Sequence, residues 1–443
     1  MKLYNTLSHQ VEDFKPLNRP KVTMYTCGPT VYNFMHIGNL RTFVFSDLLF
    51  RTLKYNEFQV EATENITDID DKIIKKAKAE GKEIGEITKE YIKYFLEDIE
   101  KLNINPKNLK EQPVATAYVE KMIAYVQVLV DKGFAYIEDD GSVYFDISKF
   151  PNYGKLSGVK GRELKTGTRV LSDEYSKDDV QDFALWKAVQ ADEFGYDSPW
   201  GKGRPGWHVE CSVMSQSILG NKIDIHTGGV DLIFPHHENE IAQSEAKTGE
   251  SPFVKYWVHG AHMLVDGKKM SKSLHNFYTL AEIVDRGFDP LTLRYLFLQT
   301  HYRQEMNFTF EALEAAQNVL NRLRKEVSSW NRGETPNLEY GDHFLAAIND
   351  DLNMPKALSI LWEVVRSDQS DGQKLATILK FDEVLGLSLN NSKSLVQKQE
   401  KMPAEVQKML EEREALRKEK KFDEADKIRE KILAMGYKVE DKN

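Results

Sequence analysis

Apolar and polar positions change period several times along this chain. β-Branched and aromatic residues alternate through KVTMYT (21–26), which predicts a strand, and Gly28 and Pro29 break it. After HIGN (36–39), the run LRTFVFSDLLFRTLKY (40–55) spaces its apolar residues as a helix does. FQVEATE (58–64) returns to a strand pattern. This strand–loop–helix–strand opening predicts an α/β fold on a doubly wound parallel sheet, with ligands at the carboxyl ends of the strands.

Farther on, 68–104 and 112–133 read as helical, and DDGSVYFDISKF (139–150) as a hairpin. Residues 151–206 are rich in Gly, Lys, Asp and Ser with few periodic runs, so roughly 116–205 reads as an insertion. The sheet resumes near DIHTGG (224–229), and beyond 276 the pattern is mostly α-helical. A polar, non-periodic stretch at 390–404 predicts a linker. Residues 405–435 predict two amphipathic helices, with Asp423 and Asp426 at the start of the second and Gly436 as its stop.

Composition narrows the picture. A chain of 443 residues has room for two to four domains at ~100–200 residues each. No apolar run is long enough for a membrane span, and the N-terminus lacks the apolar centre of a secretion signal. Two cysteines, Cys27 and Cys211, make no disulfide framework, and a reducing cytoplasm is expected. The net charge of −9 argues against broad, non-specific nucleic-acid binding, though not against a local basic surface.

Two constellations carry candidate chemistry. In FPHHENE (234–240), Pro235 suits the first turn of a helix, where residues four apart share a face. His236 and Glu240 then form a pair able to hold one zinc ion, with His237 and Glu238 directed elsewhere. The same residues equally suit the solvated first turn of a surface helix. Cys27 and Cys211 would complete a sensible ligand set, but sequence spacing leaves open whether they meet the pair. The second constellation is HIGN with KMSKS (269–273). HIGN falls at a strand-to-helix turn, where backbone N–H groups favour anions, and Gly38 lets a base or ribose approach. KMSKS follows the glycine-bearing VDGKK, so Lys269 and Lys272 can swing onto a triphosphate and stabilise departing pyrophosphate.

Five blocks now stand in order: TCGPTVYNFMHIGN (26–39), ITDIDDKIIKKA (66–77), GRPGWHVECS (203–212), DIHTGGVDLIFPHHENEIAQSEA (224–246) and KMSKSLHNF (269–277). Together they resemble the cysteinyl-tRNA synthetases, class I aminoacyl-tRNA synthetases, over about residues 1–441. The resemblance implies a class I Rossmann-type parallel-sheet catalytic domain in two halves (1–115 and 206–265) around a connective insertion (116–205). A KMSKS and stem-contact region (266–315), a helical bundle (316–389), the linker (390–404) and anticodon-recognition helices (405–443) follow. The implied activity is ATP-dependent attachment of L-cysteine to tRNA(Cys) through cysteinyl-adenylate, by a cytoplasmic monomer with no membrane association.

By motif, the family's zinc ligands fall on Cys27, Cys211, His236 and Glu240. Zinc serves selection, since pocket shape separates small side chains by only ~1–3 kcal/mol, whereas a soft thiolate binds zinc far better than a hydroxyl. Thr30, Thr67, Trp207, His226 and Asp231 align with the cysteine pocket. His36, Gly38, Asn39, Lys269 and Lys272 align with the ATP site, where Mg²⁺ accompanies the nucleotide. Arg417, Asp426, Arg429 and Asp441 align with anticodon contacts. The chain departs from the commoner HIGH in having Asn39, which still donates a hydrogen bond. Many relatives continue with a short basic segment beyond the point matching Asn443, and its anticodon contacts are expected to be missing. A ligase joining cysteine to a small amine acceptor, as in mycothiol synthesis, is the alternative; it has no use for the residues of the tail.

Overall fold

KVTMYT does form a strand, and its alternation divides two cores. In the computed structural model, which describes residues 1–159, 169–170, 181–270, 276–331, 333–400, 404–418 and 421–435, a short hairpin of β1 (Lys2–Asn5) and β2 (Gln10–Asp13) precedes β3 (Lys21–Thr26). Val22 and Met24 of β3 enter one apolar core and Tyr25 the other. Helix α1 (Ile37–Tyr55) and β4 (Gln59–Glu64) complete the opening unit, and β3 pairs with β4 in parallel.

Helices α2 (Asp71–Glu80), α3 (Ile84–Lys101) and α4 (Val119–Asp131) lead into the insertion. There β5 (Ala135–Ile137), β6 (Val143–Phe145), β7 (Arg169–Val170), β8 (Asp182–Ala188) and β9 (Gly203–Pro205) form a separate sheet. The hairpin expected over 139–150 is β5–β6, displaced toward the N-terminus.

The chain then returns through α5 (Trp207–Leu219), β10 (Ile223–Gly229), α6 (Glu238–Thr248) and β11 (Val254–Gly260). The central sheet has the order β11-β10-β3-β4, and every pairing in it is parallel. Asp224 locks its middle, accepting from the backbone N–H and the hydroxyl of Thr23 at 2.9 Å each. One face packs on α1 and the C-terminal helices, the other on α4, α5 and α6.

A small sheet of β12 (Met263–Val265), β13 (Lys268–Lys269) and β14 (Met306–Phe308) flanks α7 (Leu280–Asp285) and α8 (Pro290–Leu298). Buried Arg41 of α1 ties this region to the sheet, donating to the carbonyls of Ala261, His262, His301 and Gln304. Helices α9 (Phe310–Ser329), α10 (Leu338–Ile348), α11 (Met354–Arg366) and α12 (Asp371–Leu385) follow. Thr309, Asn337, Asn353 and Ser370 cap them.

The stretch read as a linker is largely helical: α13 (Ser392–Glu400) packs on α9. Its polar sequence hid it, because one packed edge sufficed. In the tail, α14 (Ala404–Lys418) and α15 (Phe422–Ala434) form the expected pair. The cap position of α15 falls on Lys421, not Asp423, which lies inside the helix; Gly436 is outside the described residues. Among the described residues, no helix is long and apolar enough to cross a membrane.

Candidate active site and metal centre

The carboxyl edge of the central sheet brings the candidate ligands together. Cys27 follows β3 directly, and Cys211 lies in the second turn of α5. Gly28 comes so close to Asn65 that a Cβ there would lie 1.5 Å from its carbonyl oxygen, so no larger residue fits. Between β10 and α6, Ile233–His237 forms a wide π-type turn with Phe234 in extended conformation. His236 sits in that turn and Glu240 in the first turn of α6, with His236 Nε2 3.1 Å from Glu240 Oε1.

Four side chains, Cys27, His236, His237 and Glu240, offer ligand atoms that all lie within 4.8 Å of one another. The Cys211 sulfur is 3.6 Å from that of Cys27. His237, expected to point elsewhere, also turns inward: its Nε2 is 3.4 Å from Cys27 Sγ. The helical-spacing argument failed for it because the turn is not a regular α-helix. Glu238 does face away, accepting from the backbone N–H groups of Gly154, Leu156 and Ser157. Every side chain of the cluster is buried.

Electrostatics suit a cation. Burial alone would raise the Glu240 carboxyl, but the His226 and His236 rings hold it near 2. Burial would likewise raise the Cys211 thiol, which Cys27 and His236 bring down to about 6. Against the pull of burial, Cys211 and Glu240 lift His236 to about 10. His236 Nε2 nevertheless makes no aligned hydrogen bond, although it is fully enclosed. Two thiols, a carboxylate and an imidazole nitrogen left without an aligned partner match the donor set of a zinc site.

Around these ligands lies a further layer, of which the sequence motifs singled out only His226. His208 Nδ1 lies 3.0 Å from His236 Nδ1, His226 Nε2 lies 3.2 Å from Glu240 Oε2, and His237 Nδ1 lies 2.7 Å from His259 Nε2. Thr6 in turn meets His259 Nδ1 at 2.7 Å. Burial and neighbouring imidazoles keep His208 and His237 well below the usual histidine range, so both are neutral. The H-x-x-C spacing of His208 and Cys211 on α5 was a usable signal for the first; nothing local marks His259 or Thr6.

Beside the cluster opens a cavity of about 610 Å³ lined by Cys27, Thr30, His36, Asn39, Trp207 and Asp231. The Trp207 ring stacks on His236 with centres 4.0 Å apart. Thr67 is buried, its hydroxyl donating to Glu210 at 3.0 Å, and His226 lies behind Glu240, stacked on Trp257; neither lines the cavity. His36 caps α1: its Nδ1 accepts from the Asn39 N–H at 3.0 Å, and its own N–H donates to Asn39 Oδ1 at 3.3 Å. Burial lowers the pKa of His36, leaving the imidazole neutral. Asn39 thus serves as the partner of the cap.

Gly38 faces Met270, whose methyl a Cβ would meet at 2.4 Å, so the start of KMSKS touches HIGN. Lys269 is exposed at the end of β13, and Lys272 lies outside the described residues. In the tail, Asp426 and Arg429 are exposed on α15 and Arg417 belongs to α14; Asp441 is outside the described residues.

A parallel sheet with HIGN and the first residues of KMSKS meeting over its carboxyl edge defines a class I aminoacyl-tRNA synthetase catalytic domain. Residues 13–318 match the family model described as the tRNA synthetases class I (C) catalytic domain, and residues 399–443 match the cysteinyl-tRNA ligase anticodon binding domain. The chain belongs to the cysteinyl-tRNA synthetase family. A relative named cysteine–tRNA ligase from Chlamydia muridarum (strain MoPn / Nigg) is 45% identical, covering 99% of this chain and 97% of the relative. Another of that name, from Leptospira interrogans, is 43% identical over 100% of this chain and 97% of its own. A solved Mycobacterium tuberculosis methionyl-tRNA synthetase bound by methionyl-adenylate shares the fold, with a TM-score of 0.60 at 15% identity, covering 85% of this chain and 92% of that one.

Proposed function

We infer that this chain is a cysteine–tRNA ligase. It uses ATP with Mg²⁺ to convert L-cysteine to cysteinyl-adenylate, then transfers the cysteinyl group to the terminal ribose of tRNA(Cys). The observation that carries this reading is a buried cluster of candidate metal ligands, rich in cysteine and histidine, beside the same cavity that HIGN lines.

Cys27, Cys211, His236 and Glu240 would hold one zinc ion, with His237 beside them. Bound zinc would supply a soft Lewis acid that accepts the thiolate of cysteine and discriminates against serine. His226 orients Glu240, and Trp207 packs the His236 ring in place. Asp231, at the cavity wall, suits the α-ammonium of cysteine, and Thr30 its carboxylate. Thr67 acts one step back, through its backbone pairing with Thr30.

The N-terminus of α1, with His36 and Asn39, receives the ATP phosphates. Lys269 and Lys272 stabilise the charge that builds on departing pyrophosphate. With no side chain among the described residues posed as a general base, positioning and charge stabilisation carry the first step. Arg417, Asp426, Arg429 and Asp441 read anticodon bases. We assign the enzyme to the cytoplasm, where charged tRNA is consumed by translation, and to a monomeric state.

Incubation of the zinc-replete protein with ATP, labelled cysteine and total tRNA tests this. Label on tRNA is the expected outcome; label transferred only to a small amine acceptor would replace the reading. Cys211→Ser is expected to lose both bound zinc and cysteine-dependent pyrophosphate exchange. Unchanged zinc content by elemental analysis would remove Cys211 from the ligand set.

A further inference from the structure

One group of rings at the mouth of the cleft carries none of the cysteine or ATP contacts assigned above. Phe34, two residues before His36, lines the cavity yet is 38% exposed. Its ring centre lies 5.4 Å from that of Tyr91 and 4.7 Å from that of Tyr94, both on α3. Tyr91 is buried in the small core that α2 and α3 share with Val31, Ile66 and Ile73, whereas Tyr94 is 36% exposed. The patch therefore has a fixed base and two rings open to solvent.

Cations border it, among carboxylates: Asp70 and Asp71 line the same cleft, and Glu80 lies 3.6 Å from Lys76 Nζ. Lys76 Nζ sits 4.3 Å from the Tyr91 ring centre and donates to its hydroxyl at 2.6 Å. Lys72 Nζ is 5.9 Å from the ring centre of Tyr32, and Lys72 and Lys75 both line the cleft. The neighbouring carboxylates Glu90 and Glu97 are within ion-pair distance of Lys82 and Lys93, at 3.7 and 3.8 Å. Exposed aromatic faces beside ammonium groups, continuous with a reaction cleft, are the equipment for a single-stranded nucleic acid: rings for the bases, cations for the phosphates. A base-paired stem presents no free base face to such rings.

We propose that Phe34 and Tyr94 form a stacking platform for the unpaired 3′ nucleotides of the tRNA, with Lys72 and Lys75 meeting its phosphates. The platform holds the acceptor end at the cleft so that the terminal ribose reaches the adenylate. This rests on the aminoacylation reading above and adds to it the surface that receives the second substrate.

Full-length Tyr94→Ala and Tyr94→Phe proteins test the platform. Cysteine-dependent pyrophosphate exchange, which uses no tRNA, is the control. Fluorescence anisotropy compares binding of a labelled acceptor-stem RNA hairpin carrying its unpaired 3′ end with the same hairpin trimmed flush. Wild type and Tyr94→Phe are expected to prefer the tailed RNA. Tyr94→Ala is expected to lose that preference and to raise the KM for tRNA about 10-fold, within the range of one lost base stack, at unchanged exchange. An equal preference for the tail in Tyr94→Ala and wild type overturns the platform. So does a change of molecular mass in Tyr94→Ala, which would make the patch a contact between copies. Wild-type protein that exchanges no pyrophosphate with cysteine instead overturns the aminoacylation reading beneath it.

Discussion

Glu64 ends β4 with its carboxyl enclosed. Burial raises its pKa from 4.5 to about 8; a hydrogen bond from Gln112 at 3.3 Å opposes this, while Asp47 adds to it. Between those two values the folded chain holds a proton that the unfolded chain has released, so stability falls as pH rises through the window. The urea midpoint is expected to drop between pH 5 and pH 8, and Glu64→Gln is expected to flatten that slope by a few kcal/mol. An unaltered slope in Glu64→Gln would place the proton elsewhere. At this scale the sequence showed the ligand types but not their partners. His226 was aligned with the pocket through its motif, and its ring stands behind Glu240. His259 reaches the cluster from a neighbouring strand, and Thr6 from the N-terminal hairpin. No local spacing encodes a contact made across a sheet.

Helix α1 joins the HIGN turn to the rest of the molecule. Its first turn is capped by His36, and its middle carries Asp47, which meets Arg51 at 2.7 Å and the fully buried Arg294 at 2.6 Å. Arg294 also donates to the carbonyls of Leu385 and Leu102, so this one guanidinium pins α8, α12 and the end of α3 to α1. Asp47→Ala would leave that charge enclosed without its ion-pair partner, at an expected cost of about 3–5 kcal/mol in unfolding free energy. A loss below about 1 kcal/mol in denaturant titration would show that the backbone carbonyls suffice. Strands and long helices were legible because burial imposes a period on them. The turn at Ile233–His237 was not, since a π-type turn shifts side chains off the faces that helical spacing assigns. Polar α13 was missed for the opposite reason: among its described side chains only Ser392 is buried, too few to set a period.

Across the whole molecule, the stretch matched to the catalytic family model ends at residue 318 and the stretch matched to the anticodon-binding model begins at residue 399, so the two matches do not overlap. Substitutions in the tail should therefore alter only tRNA-dependent steps. Arg429 is exposed on α15, so Arg429→Ala leaves the fold unstrained. It is expected to keep full pyrophosphate exchange while raising the KM for tRNA(Cys) about 10-fold, the scale of one lost base contact. Steady-state charging of native and anticodon-altered tRNA checks this, and an equal fall in exchange would mean that the tail acts on the catalytic centre. The order of these parts was readable from the motifs. The path of the chain between them was not, because the connecting helices are generic amphipathic segments.

The stacking of Trp207 on His236 has an optical consequence. An imidazolium 4.0 Å from an indole quenches its emission by drawing an electron from the excited ring. A cation that takes the place of the His236 proton removes the quencher and leaves the indole where it was. Titration with zinc should therefore brighten the protein in ultraviolet light, and Trp207→Phe should abolish the change while the ion still binds. Under the function proposed above, the chain would carry its own gauge of whether the metal centre is filled.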